Sequence, residues 1–238
     1  PTVLRDWWGF CLQKATVSDL RAAFVIDYQN MHLTGAGLFE PHQPPHEHLV
    51  HPLHYANRIV GCRNQRQRPG FPHAAVTKVL VYRGLPSADT DPRSYGRNLA
   101  QKAEWELDSR VRVTHRPLRY KYHHDGHGRK ATDQQGRRLT IGKPQEKGID
   151  VLVALAVIRE ARDPDIDLVI LCSQDTDLEP SLDEALTLAS AKIETASWFD
   201  PKSPQSSHEI RPAGGMRIWN TRLGAMDFAA CRDRKVYP

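Results

Sequence analysis

IDLVILCSQDTDLEP, residues 166–180, decides the fold. Its first seven residues form an apolar run of strand length in which LVIL does not alternate with polar residues, the pattern of a strand buried on both faces. Two aspartates, Asp175 and Asp177, follow directly, and Pro180 suits the first turn of a helix over 178–191. Working outward, AAFVID (22–27), VTKVLVY (76–82) and residues 192–199 read as further buried strands. Helices are expected over 53–64, over 92–107, where Tyr95, Leu99, Ala103 and Leu107 recur at helical spacing behind an Asp91 N-cap, and over 149–161. Residues 111–122 alternate and read as a strand entering a basic hairpin with its tip near Asp125, Gly126 or Gly128 and a return over 137–141. Strands alternating with helices give an α/β class: a mostly parallel central sheet of about five strands with helices on both faces, plus the basic hairpin and a C-terminal extension. The core is expected over 22–200, with insertions at 40–72 and 120–144. The extension, 201–238, should begin with a loop and hold a strand or turn plus a helix over 216–236. No internal repeat is expected, and neither a P-loop nor GxGxxG is present.

The chain of 238 residues, 39% hydrophobic and 26% charged, suits one globular domain spanning 1–238. Its longest apolar run, 151–158, is too short to cross a bilayer, and Arg5, Asp6, Lys14 and Asp19 interrupt any signal-peptide core, so a cytoplasmic protein without membrane contact is expected. Cys11, Cys62, Cys172 and Cys231 lie more than 50 positions apart, which excludes paired zinc ligands and points to reduced, buried thiols. The net charge of +5 is unevenly spread. Residues 110–147 carry eleven Lys or Arg against three acids, and residues 148–200 carry twelve acids against three bases. Such segregation suits a protein that grips phosphates with one segment and a cation with another.

Ligands of open α/β sheets bind at the carboxyl ends of the strands, and the acids fall there. Asp27 ends the first strand, with Asn30 three residues on. Asp175 and Asp177 follow the strand at 166–172, and Asp150 opens the helix after Lys147 and Gly148. Singly, each suits a strand end or helix cap. Together, four carboxylates repel one another unless a cation neutralises them, and oxygen-only ligands favour Mg²⁺ or Mn²⁺.

FVIDYQN (24–30), KGID (147–150) and LCSQDTDLEP (171–180), in this order, resemble the NYN domains, members of the PIN-like nuclease superfamily that includes the LabA-like proteins. The resemblance implies a PIN-like fold and a metal-dependent nuclease. Residue by residue it implies that Asp27, Asp150, Asp175 and Asp177 hold the metal, that Asn30 and Ser173 brace the site, and that Lys147 borders it. Leu178 stands where the family usually has Phe, which touches packing only. Direct ligation is assigned to Asp27 and Asp175, with Asp150 and Asp177 serving a second ion or ordering water. Asn30 and Lys147 complete the catalytic set.

The basic hairpin is the expected grip for nucleic acid, through Arg116, Arg119, Lys121, Arg129, Lys130, Arg137 and Arg138, with Tyr120 and Tyr122 as faces for unpaired bases. A solvated arm or an oligomer contact is the plainer reading. The histidines at 42, 46, 48, 51 and 54 and at 123, 124 and 127 are too irregularly spaced, without accompanying Cys, to read as a zinc site. The five Trp read as core or interface anchors. The expected function is a metal-dependent endoribonuclease. RNA is favoured over DNA as partner, and a homo-oligomer is possible. The alternatives are a non-catalytic RNA-binding module of the same fold and a nuclease acting on DNA ends or flaps.

Overall fold

The computed structural model of the protein describes residues 18–203 and 208–237. Trp7, Trp8 and Cys11 lie outside them. The described elements run β1 (Leu20–Asp27), α1 (Tyr28–Phe39), α2 (Pro52–Gln65), β2 (Ala74–Leu85), α3 (Pro92–Trp105), β3 (Val111–Pro117), β4 (Arg119–Tyr122), β5 (Thr140–Gln145), α4 (Ile149–Ala161), β6 (Leu168–Cys172), α5 (Glu179–Leu188), β7 (Lys192–Trp198), β8 (Asn220–Leu223) and α6 (Ala225–Ala230). Single turns of 3₁₀ helix occur at Pro45–Glu47 and Thr176–Leu178.

Six strands form one sheet in the order β3-β2-β1-β6-β7-β8, every neighbouring pair parallel. The sixth, β8, comes from the C-terminal extension, where strand and turn were not separable by sequence. β1 and β6 lie side by side at the centre, and the chain winds outward from β1 to β3 on one side and from β6 to β8 on the other. That reversal of direction between β1 and β6 is where sheets of this order open a crevice.

The apolar runs are explained by what covers each face. In β1, Ala22, Phe24 and Ile26 join the core under α1, α2, α3 and α6, while Ala23 and Val25 join the core under α4 and α5. In β6, Leu168, Ile170 and Cys172 face the first layer, and Val169 and Leu171 the second. With both faces dry, no position in the strand has a reason to be polar. Trp105 and Trp198 are core anchors as expected, whereas Trp219 is exposed. Among the described residues, no helix is long and apolar enough to cross a membrane.

The expected strand over 111–122 divides. β3 ends at Pro117, Leu118 donates its N–H to the Leu85 carbonyl, and β4 leaves the sheet to pair antiparallel with β5, giving the separate hairpin. Its end holds a repeat that the sequence reading did not register. Residues 125–132 (DGHGRKAT) and 133–140 (DQQGRRLT) form two successive turns with the same bonds. In each, the Asp side chain accepts from the N–H two and four residues on, at 2.8–2.9 Å, and the Gly at the fourth position takes a left-handed φ of 76° or 78°. The two turns close a three-way ring in which His123 donates to Leu139, Leu139 to Ala131 and Ala131 to His123.

Candidate metal centre

The site is assembled at the reversal point. Asp27 is both the last residue of β1 and the N-cap of α1, its carboxylate accepting from the Asn30 N–H at 3.2 Å. Ile26 is level with Cys172 in the parallel register, so the next residues, Asp27 and Ser173, emerge together, and the Ser173 hydroxyl donates to Asp27 Oδ2 at 3.2 Å. The same Oγ accepts from the Asp175 N–H, Asn30 Oδ1 accepts from the Gln174 N–H at 2.8 Å, and Asp175 Oδ1 caps the following turn by accepting from the Asp177 N–H. Ser173 thus ties the end of β1, and Asn30 the start of α1, to the turn after β6.

The third element is the start of α4. Gly148 holds a φ of +77° that L side chains rarely adopt, which lets the chain turn from β5 into the helix and deliver Asp150. Arg116 stabilises this turn by donating from Nε to the Lys147 carbonyl at 2.5 Å, and a Cβ on Gly148 would sit only 3.2 Å from that nitrogen. Arg116, expected on nucleic acid, thus holds the Lys147–Asp150 turn in place.

Asp27, Asp150 and Asp175 each present a carboxylate oxygen within 4.8 Å of the other two, the only such group of acids, His or Cys among the described residues. Three oxygen donors at this spacing match the ligand set of a hard divalent cation. Asp177 stands outside the trio, but its charge helps raise the Asp150 pKa, after burial and Asp175. Asp27 is 3% exposed, and burial lifts its carboxyl to about 7; the charges of Glu146 and Asp150 add to the rise, and the Asn30 N–H and Ser173 hydroxyl oppose it. Glu146 is a neighbour that the sequence reading passed over. Its carboxylate accepts from the Gly84 N–H at 2.5 Å, and burial, followed by Asp150, raises its pKa against the pull of that N–H and Arg83. The available signal was an acid at the end of an otherwise basic segment, one residue before KGID.

Lys147 is exposed, and its ammonium makes no ion pair or hydrogen bond among the described residues. On the arm, Arg119, Lys121 and Arg129 project into solvent, whereas Arg137 pairs with Asp133, Arg138 with Asp89, and Lys130 lies 4.0 Å above the Tyr122 ring. The Tyr120 hydroxyl accepts from the Ser87 N–H and its ring stacks on Tyr122. One face of each tyrosine is therefore already occupied. β5 runs directly into Glu146 and Lys147, so the arm is continuous with the metal-binding turn. Of the histidines, His51 stacks on His54 at 4.2 Å and His48 contacts Gln43.

Compared with models of known protein families and with curated proteins, the sequence gives no match. A solved structure of a protein of unknown function from Vibrio parahaemolyticus is similar over 75% of this chain and 81% of its own, at 18% identity and a TM-score of 0.40, a likeness too slight to bear on function.

Proposed function

We propose that this protein is a divalent-metal-dependent nuclease of the NYN kind that hydrolyses phosphodiester bonds in RNA, with Mg²⁺ or Mn²⁺ as cofactor. The observation that carries the reading is the meeting of three carboxylates from three separate elements, within 4.8 Å, at the crevice of the sheet. Asp27, Asp150 and Asp175 would hold the ion, which supplies Lewis acidity to activate a water and offset charge gathering on the phosphate oxygens. The chain's own part is preorganisation. Ser173 and the Asn30 N–H fix the two oxygens of Asp27, so the ligand set forms without rearrangement. Asp177 and Glu146 flank the trio and add negative potential that favours a cation. Lys147, exposed at the rim, is free to meet a phosphate. Arg119, Lys121 and Arg129 offset the repulsion that the acids exert on a polyanion. A cytoplasmic setting is in keeping with Cys62, Cys172 and Cys231 as free, buried thiols.

The test is incubation of the protein with end-labelled single-stranded RNA, duplex RNA and single-stranded DNA, each with Mg²⁺, Mn²⁺ or chelator. Cleavage of RNA in metal and none in chelator is expected. Cleavage confined to DNA would replace RNA with DNA ends or flaps, and metal-independent RNA binding without cleavage would leave only the binding module.

A further inference from the structure

Beside the metal centre, on the α1 and α3 side of the sheet, lies a hollow of about 380 Å³, within the size range of small-molecule sites. Its walls include Arg83 and Arg97. Arg83 lies near the carboxyl end of β2, one position past Tyr82, the register partner of Asp27. Its guanidinium lies over the Tyr28 ring at 4.6 Å and donates to Gln101 Oε1 at 2.7 Å, leaving most of its five donors unused. Arg97 reaches the same hollow from α3, its buried Nε unpartnered. Among the described residues neither arginine makes an ion pair; the one acid in the wall, Glu146, feels the charge of Arg83 but gives its hydrogen bond to the Gly84 N–H.

Two further wall residues carry orphaned groups. His32 Nδ1 and Asn98 Oδ1 are buried without partners, although each residue is only 7% exposed. Burial and the charge of Arg83 keep His32 neutral, with a pKa near 4. A wall in which Arg97 Nε, His32 Nδ1 and Asn98 Oδ1 are unmatched and Arg83 bonds only Gln101 lacks an anion and a hydrogen-bonding partner, since desolvated polar groups are stable only when matched. A second hollow, of about 710 Å³, shares Arg97, His46 and Leu49 with the first and continues past Arg232 and Lys235.

We propose that the hollow between α1, α3 and the end of β2 is a nucleotide subsite, in which Arg83 and Arg97 hold a phosphate and His32 and Asn98 meet the attached nucleoside. This rests on the nuclease reading and extends it: the residue bound there is the one next to the scissile phosphate. On that side of the scissile phosphate the strand leaves along the C-terminal segment, where the second hollow continues. Glu146 separates subsite from metal centre.

The experiment is calorimetric titration of the whole chain, in chelator, with AMP, adenosine and orthophosphate. It is repeated on Arg97→Gln, on Arg83→Gln, and on a variant with Arg129, Lys130, Arg137 and Arg138 changed to Ser. AMP should bind roughly tenfold or more tighter than either adenosine or orthophosphate. Arg97→Gln, whose side chain is only partly buried, should weaken AMP by about tenfold or more, and the arm variant should not. Equal binding of AMP and adenosine, unchanged AMP affinity in Arg97→Gln, or no AMP binding by the wild type overturns the proposal. Orthophosphate binding as tightly as AMP overturns the nucleotide and leaves an anion site. Because no metal and no cleavage are involved, failure here leaves the nuclease test standing, and a failed cleavage assay leaves this result standing.

Discussion

Asp27→Asn should stabilise the metal-free protein, and by an amount that depends on pH in a defined way. The folded carboxyl titrates at about 7 against an ordinary value of 3.8, so between these limits the folded chain keeps a proton that the unfolded chain has lost. Stability therefore falls as pH rises through that window and levels off above it. The shift of about three units corresponds to about 4 kcal/mol at about 1.36 kcal/mol per unit, which is the upper bound on the cost of an ionised Asp27 at pH 8. The amide keeps the bond from the Asn30 N–H through its oxygen, and its NH₂ can donate to the Ser173 hydroxyl, so little is lost in exchange. Half of that bound would still raise the melting temperature by about 4–8 °C. The assay is thermal and urea unfolding of both proteins in chelator at pH 4.5 and pH 8. The gap should be about a quarter of its full size at the lower pH, which already lies a little above the ordinary value, and open fully at the higher one. Excess Mn²⁺ should close or invert it, because an ion at about 100 times its dissociation constant adds about 2.7 kcal/mol to a protein that binds it only when folded. A variant less stable than wild type at pH 8, or a gap independent of pH, would refute the assignment of a desolvated, charge-crowded carboxylate.

Three other perturbations address separate features. Gly84→Ala puts a Cβ 2.2 Å from Leu118 Cδ2 and 2.6 Å from Glu146 Oε1; a loss of about 1–3 kcal/mol in urea unfolding is expected, together with reduced cleavage as Glu146 shifts. Arg63→Met breaks the buried two-bond pair between Arg63 and Glu194, at 2.8 and 2.9 Å, and should cost about 3–5 kcal/mol, whereas adding Glu194→Leu should recover most of it. Replacing Arg129, Lys130, Arg137 and Arg138 with Ser should flatten the slope of log affinity against log salt for single-stranded RNA by up to about 3 units, read by fluorescence anisotropy, without changing the Mn²⁺-induced melting shift. Since Arg137 and Arg138 are engaged by Asp133 and Asp89, two contacts remain and the loss should fall nearer about 1.4 units than about 3.

The central strands and the acids at their ends were legible because burial on two faces leaves a strand no polar positions, and because the carboxyl edge is the one place where a polar run can follow. The helix over 149–161 was read to the residue for the same reason. What escaped was set by contacts distant in sequence. Helix α1 starts on the Asp27 cap, and its GAG stretch (Gly35, Ala36, Gly37) looks unlike a helix. Gly35 is there because Phe228 and Trp198 pack within 2.9 Å of where its Cβ would lie. The bond from Arg116 Nε to the Lys147 carbonyl was hidden as well, because no composition reveals a backbone partner. Arg83 and Glu146 went unnoticed for a similar reason: one sits in a strand run and the other in a charged segment, and only the register of β2 against β1 places them beside Asp27.

The doubled turn at the end of the arm has a consequence for how this protein can change length. His123, Ala131 and Leu139 occupy equivalent stations eight residues apart and pass one hydrogen bond around a ring. Remove either octad and two stations remain, each donating to and accepting from the other, which is the pairing of an ordinary antiparallel hairpin. β4, β5 and the entry to α4 would keep their register, because neither octad enters the ladder before Thr140. The arm can thus shed a module of eight residues, carrying one Asp-capped turn and one pair of basic side chains, while the metal-binding turn at its root stays where it is.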